Sequence, residues 1–312
     1  MGSRGRCVSS FALSVAPKIA ALGLLVGAPL ATAQTPVPGD LSTSITMSAL
    51  TQLDTDIDQG GRFRWWSVGF GASVTRQFTS ALSVGISGRY VFERWSFDTP
   101  TAFGQVAPWK DIARPSVGLN LGYNLSKDLS LFIAPQAEWA FEPGATVSDS
   151  LNYGAVIGVV KFFSPKLVVG LGAGAFRQID RNRFFPFVIV NWQITDSLRV
   201  TNPLQAGPTG GAGLELAYAW SASWEAAAGA AFREYRFRLR EDGPAPNGLG
   251  QNRGVPLFAR LTRKFGPGTQ VELFAGVVVA GELTVFNAAG ATLQSSDYGA
   301  APLIAFSGTV HF

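Results

Sequence analysis

The chain has 312 residues, with 25 basic and 21 acidic side chains, 36 glycines, one cysteine and one histidine. One histidine cannot supply a site of three or four histidines, and the single cysteine, Cys7, can form no internal disulfide. Arg4, Arg6 and Lys18 all lie near the amino terminus, so the remaining chain is nearly balanced in charge and the basicity is no argument for nucleic acid.

Arg4, Arg6 and Lys18 precede an apolar run, Ile19 to Leu30, and then Ala31-Thr32-Ala33. A basic start, a short apolar core and a small-x-small site predict a secretory signal spanning residues 1–33, cleaved to leave Gln34 first. The run is too short for a comfortable membrane helix, which needs about 20 residues. Cys7 falls inside this leader, far upstream of where a lipoprotein would need it. No later stretch approaches a membrane helix in length either. The rest, residues 34–312, reads as a single domain.

A first strand is predicted over Leu41 to Leu53, followed by an acidic, glycine-containing turn from Asp54 to Gly61. From Arg64 a period of two sets in. Trp66, Val68, Phe70, Ala72 and Val74 alternate with small or polar residues, and Leu82, Val84, Ile86, Gly88, Tyr90 and Phe92 follow after Thr79-Ser80-Ala81. Val117 to Leu125 and Leu129 to Phe141 repeat the rhythm around the turn Ser126-Lys127-Asp128. Further short turns fall at Ser164-Pro165-Lys166, Thr195-Asp196-Ser197, Ser221-Ala222-Ser223 and Gly266-Pro267-Gly268. Longer or glycine-rich connections fall at Asp98 to Lys110, Pro143 to Ser150, Asp180 to Arg183, Leu204 to Gly211, Glu241 to Asn252 and Phe286 to Asp297.

Short turns alternating with longer loops predict an all-β fold, an antiparallel transmembrane β-barrel with its short turns in the periplasm. Fourteen strands satisfy the parity. Twelve is the alternative, because Leu198 to Leu204 is short and Pro203 cannot donate to a ladder. No connection is long enough to enter the lumen deeply, so strand side chains are expected to narrow it.

An Arg or Lys facing lipid near the midplane costs about 2–4 kcal/mol, so charges opposite a greasy face should line the lumen. The candidates are Arg89, Glu93, Arg114, Glu138, Glu142, Glu215, Arg260, Glu272 and Glu282. In Trp224 to Arg240 the apolar parity changes at Arg233-Glu234, and a β-bulge there would turn Arg233, Arg236, Arg238 and Arg240 to the lumen or its outer mouth. Such a row could attract anions, or pair with the inward glutamates and fill the interior.

No cofactor is expected. Gly170-x-Gly172-x-Gly174 lacks the spacing and following helix of a dinucleotide loop, and Gly207 to Gly213 lacks the Lys-Ser/Thr ending of a phosphate loop. Nucleotide and nucleic acid are therefore not expected partners. His311, penultimate in the chain, falls at the rim opposite the outer one, which argues against histidine-dependent hydrolysis there and against an enzyme.

The last stretch, Pro302 to Phe312, puts Ile304, Phe306, Val310 and Phe312 on one face. A strand ending on a terminal Phe resembles the closing strand of Gram-negative outer-membrane barrels. That resemblance implies lipid around it and an assembly machinery that reads Phe306, Val310 and Phe312. The runs SPKLVVGLGAGAFRQID, FPFVIVNWQITDSLRVTNPLQAG and GGAGLEL between Ser164 and Leu216, with FREYRFRLREDGPAPNGLG, resemble a porin-like family of outer-membrane barrel proteins without an assigned activity. The resemblance implies the barrel and its bacterial outer-membrane location, and carries over no functional residue. A passive conduit for small solutes with a mixed Arg/Glu lumen is the expected function; a sealed barrel with a structural, adhesive or docking role is the alternative.

Overall fold

The computed structural model describes residues 38–202, 213–266 and 268–312. Sixteen strand segments make one antiparallel sheet. They are β1 (Leu41–Asp56), β2 (Arg62–Gln77), β3 (Leu82–Asp98), β4 (Asp111–Asn124), β5 (Leu129–Trp139), β6 (Leu151–Ser164), β7 (Leu167–Gln178) and β8 (Arg181–Gln193). Then come β9 (Leu198–Thr201), β10 (Gly213–Ser221), β11 (Trp224–Ala231), β12 (Arg233–Arg238), β13 (Leu249–Lys264), β14 (Thr269–Phe286), β15 (Thr292–Tyr298) and β16 (Ala301–His311). β11 and β12 are halves of one strand against β13, and β15 and β16 are halves of one strand against β14. Counted so, the sheet has the expected fourteen strands. β1 pairs with β16 from Ser44↔His311 to Gln52↔Leu303, which closes the barrel.

The period of two sets the walls. Phe70, Ile86, Leu119, Ile157, Leu171, Val188, Leu216 and Ile304 stand on the outer surface, where lipid supplies their apolar surroundings. The short turns lie at the end that carries Leu41 and Phe312, and their own hydroxyls hold them. Thr79 Oγ1 accepts from the backbone of Ala81 and Leu82, and Thr195 Oγ1 from Ser197 and Leu198.

The shortest strand, β9, still bridges β8 and β10. Where it ends, the Asn202 amide continues the ladder. Its Oδ1 accepts from Val190 N at 2.8 Å, and its Nδ2 donates to Val188 O and Gly213 O at 3.2 and 3.0 Å. A side chain thus does the pairing just before Pro203, a residue outside the described part. The Leu204 to Gly211 connection, including the glycines from Gly207 on, also lies outside it.

Two expectations give way. The Asp180 to Arg183 connection is no long loop, because Gln178 pairs with Arg181 and leaves only Ile179 and Asp180 in the turn. Nor is there a bulge at Arg233-Glu234. Ala230 pairs with Leu257 and Arg233 with Gly254 in one unbroken register. The irregularity lies across the sheet instead. Strand character lapses at Phe232, the β13–β14 register shifts between Arg253 and Val255, Ala280 takes a φ of +49°, and Gly299-Ala300 separates β15 from β16.

These breaks share one level and form a crease. Beyond it β12, the outer parts of β13 and β14, and β15 bend over the mouth as a flap. The edge of β12 turned away from β13 then meets the outer end of β5, six positions round the barrel. Arg238 N donates to Ala140 O at 2.9 Å, and Glu142 N to Arg238 O at 2.8 Å. The strands' own outer ends, rather than side chains alone, narrow this barrel.

Candidate functional site

The flap has two unlike faces. Tyr235, Phe237 and Leu239 keep the inward parity of Ala227 and Ala231 and pack onto the wall of β1 to β4. Phe237 meets the Trp109 ring edge-on at 5.1 Å. Trp109 and Phe103 belong to the Asp98 to Lys110 connection, which dips into the mouth and meets Trp95 and Phe97 of β3 edge-on. Trp65, Phe63 and Tyr298 extend this aromatic wall, each of them buried. Opposite, Phe176 and Phe185 of β7 and β8 stack at 6.1 Å over Val156 and Ala134.

The flap's second face is polar. Glu234 binds Arg181 and Arg183, and Arg236 Nη2 lies 2.6 Å from Asp180 Oδ2. Arg238 donates to the Asp149 and Asn247 carbonyls. Arg236 and Arg238 are therefore turned away from the aromatic wall, onto the β7–β8 turn and the β5–β6 connection. Arg240, at the tip, is exposed beside Asp242 at 3.5 Å. Glu282 corrects the expected lumen position. The extra residue at Ala280 flips the parity of β14, so Leu283 and Val285 point inward and Glu282 pairs with Arg253 on the polar face.

Glu142 is a clamp at the mouth. Its carboxylate accepts from Lys110 N at 3.1 Å and Arg240 N at 3.3 Å, tying the Trp109 connection and the flap to the end of β5. Burial pushes its carboxyl above the usual range, against the pull of Arg240 and those two N–H groups.

Two tiers of charge occupy the interior. The tier nearer the short turns centres on Arg260 of β13. Its guanidinium binds Glu215 at 2.5 Å, Glu225 at 3.0 Å and Glu272 at 3.1 Å. Ser307 donates to Glu272 at 2.9 Å, and Arg199 and Lys264 complete the charge on Glu225. Three cations thus meet three carboxylates in a network joining β9 to β11, β13, β14 and β16.

The tier under the flap is different. Arg114 binds Glu93 at 3.3 Å and Glu138 at 3.1 Å, with its guanidinium 4.1 Å from the Tyr235 ring centre. Arg89 lies beside this group but makes no ion pair among the described residues. Arg233, 1 % exposed, lies 5.7 Å from the same tyrosine ring centre and has no carboxylate partner either among the described residues. Three cations here face two carboxylates.

Inference from sequence missed Glu225, Arg199, Arg181, Arg183, Glu234 and the aromatic wall. Glu225 was accessible, since Trp224 and Ala226 take the opposite parity. Of the closing-strand residues, Phe306 and Phe312 stand exposed on the outer wall and Val310 is half-buried. His311 lies at the short-turn end, where its N donates to Gly268 O.

No family model matches the chain, and no curated protein matches it. Solved structures do. An outer-membrane channel from Pseudomonas putida F1 matches over 89% of this chain and 97% of its own, at 10% identity and a TM-score of 0.47. The P. putida toluene transporter TodX matches over 88% and 91%, at 10% identity and 0.40. The translocator domain of the Neisseria meningitidis autotransporter NalP matches over 89% and 91%, at 10% identity and 0.34. The strand pairing itself defines the class, a closed, fourteen-stranded antiparallel β-barrel with an apolar outer wall.

Proposed function

We propose that this barrel is a gated passive conduit for small solutes with largely apolar or aromatic bodies. Its long-loop end faces outward from the bacterial outer membrane, and it stands shut in the conformation described. The observation that carries this reading is the crease. Four neighbouring strands break at one level, and everything beyond folds across the mouth on an aromatic face, held at its edge by a few backbone bonds and the Glu142 clamp. A barrel wall that only had to seal could have kept its strands straight. The solute path runs between the tryptophan wall of β1 to β4 and the phenylalanine pair of β7 and β8, so the Arg/Glu groups guide and hold more than they line a watery pore.

Signal removal after Ala33, and recognition of Phe306, Val310 and Phe312 by the assembly machinery, belong to the same reading. A second reading, a sealed structural barrel, draws support from the charge-balanced Arg260 network.

Locking the flap separates the two. A Cβ at Gly144 would sit 3.4 Å from Arg240 Cβ, close to disulfide spacing, although Gly144 has a φ of +96° that strains any other residue. The Gly144→Cys, Arg240→Cys pair should conduct in planar bilayers when reduced and fall silent when oxidised. A folded barrel that never conducts, or one that conducts equally in both states, rejects the gate.

A further inference from the structure

We infer that the tier beneath the flap is a binding site for a small organic carboxylate, built around Arg233. The argument begins with what Arg233 lacks. All the acidic residues of the sequence lie among the described residues, yet none pairs with this buried guanidinium. Its neighbours are neutral. Nη2 donates to Gln52 Oε1 at 3.2 Å, the guanidinium lies 5.2 Å from the Trp65 ring centre, and Tyr298 and Tyr235 flank it. Its Nε and Nη1 have no acceptor.

The surrounding groups repeat the pattern. Gln52 Nε2, Trp65 Nε1 and Asn252 Nδ2 are buried N–H donors, also without an acceptor among the described residues. The two amide orientations are fixed by their oxygens, since Gln52 Oε1 accepts from Arg233 and Asn252 Oδ1 accepts from the Tyr298 hydroxyl at 2.9 Å. Gln52 and Trp65 are direct cross-strand partners, and Asn252 is the partner of Tyr235 on the Arg233 strand. Every orphan atom in the cluster is therefore a donor, and none is an acceptor.

Buried donors are nearly always matched, and an unmatched buried charge is costly. A ligand that completes this site must bring acceptors and negative charge. A carboxylate does both and can take two N–H groups of a guanidinium at once. The surroundings supply the rest of the specificity, because Trp65, Phe63, Trp95 and Tyr298, packed on one another, make the cluster's walls aromatic and favour a ligand with an aromatic body. The site rests on the conduit reading only for the route by which a ligand enters; binding at equilibrium is independent of flux.

Titration calorimetry of the folded, detergent-solubilised protein at constant ionic strength tests it, with sodium benzoate as probe and benzyl alcohol as its neutral counterpart. Benzoate should saturate one site, and benzyl alcohol should bind about ten-fold more weakly or worse, the scale of a charge-assisted hydrogen bond. Arg233→Gln should weaken benzoate by a similar factor. Gln52→Glu places a carboxylate where Gln52 Oε1 already meets the guanidinium, and should abolish benzoate binding while the barrel still folds. Absence of saturable benzoate binding, equal binding of the two probes, or native-like benzoate affinity in either variant overturns the site. Should Arg233→Gln fail to fold, Gln52→Glu alone decides. A protein that binds benzoate yet never conducts keeps this site and loses the conduit.

Discussion

Phe237→Ala is the sharpest probe of the gate, because that ring belongs to the flap while the Trp109 ring it meets belongs to the wall. The side chain is 1 % exposed and meets Trp109 edge-on at 5.1 Å. Replacing a buried Phe by Ala costs about 3–5 kcal/mol. Part of that is internal to the flap, since the ring also covers Gly250, where a Cβ would lie 2.3 Å away. Contacts of that kind survive opening. Assigning roughly half of the cost to the flap–wall contact leaves about 2 kcal/mol, which raises the open-to-closed ratio about thirty-fold. Open probability in planar bilayers reads this ratio directly. Phe176→Ala supplies the control, for its stacked partner Phe185 lies on the same wall and their apolar cluster includes no flap residue. Both variants should lower the urea midpoint, and only Phe237→Ala should raise open probability. Equal gating effects from the two, or none from Phe237→Ala, would refute a flap held by its aromatic face.

Three further outcomes are expected. Ala280→Val should lower stability in urea by about 1–2 kcal/mol, because a β-branched residue tolerates a φ of +49° poorly, whereas Ala280→Gly should stay within about 0.5 kcal/mol. Asn202→Ala removes three bonds between β8 and β10 and should cost about 2 kcal/mol, seen as a lower temperature for loss of the compact band in cold detergent gels. For Glu142 the sign follows from burial. The folded state holds this proton more tightly than the unfolded chain, so its contribution is complete below the ordinary glutamate range and is lost as pH rises through the elevated value. Glu142→Gln should abolish that fall above the ordinary glutamate range; native and variant curves that run parallel would contradict it.

Strand parity made the barrel legible and the flap illegible for the same reason. An alternation such as Val68, Phe70, Ala72 says which residues share a face, and in most of this chain the apolar face meets lipid. Parity does not say whether an apolar environment is bilayer or protein core. Tyr235, Phe237 and Leu239 share the inward parity of Glu225, but they look lipid-facing by hydropathy, and reconciling them with Phe232 required a bulge that does not exist. Strands covered on both sides lose clean alternation. The residues 233–240, charged on one face and aromatic on the other, are such a case. Glu282 was misplaced because Ala280 gives no warning of a positive φ, which glycine or asparagine would have given. The clusters themselves, Arg114 with Glu93 and Glu138 and Arg260 with its three carboxylates, needed the barrel's curvature to bring distant strands together.

The two charge tiers imply two separable barriers, and Arg260 tests the deeper one. Its network is electroneutral, closely hydrogen-bonded and set on the short-turn side of the crease, so it has no reason to move when the flap does. Arg260→Met would leave Glu215, Glu225 and Glu272 facing one another with only Arg199 and Lys264 at the edge. Stripping one partner from a buried set costs about 3–5 kcal/mol, and the folded variant should be less stable by about that much. If the network is the floor of the path, the same variant changes the size and ion preference of each conductance step toward cations, while open probability stays that of the native flap. Phe237→Ala should do the reverse, altering how often steps occur and leaving their size alone. A change in both quantities from either substitution would mean that roof and floor are one coupled barrier, and that the crease is no independent hinge.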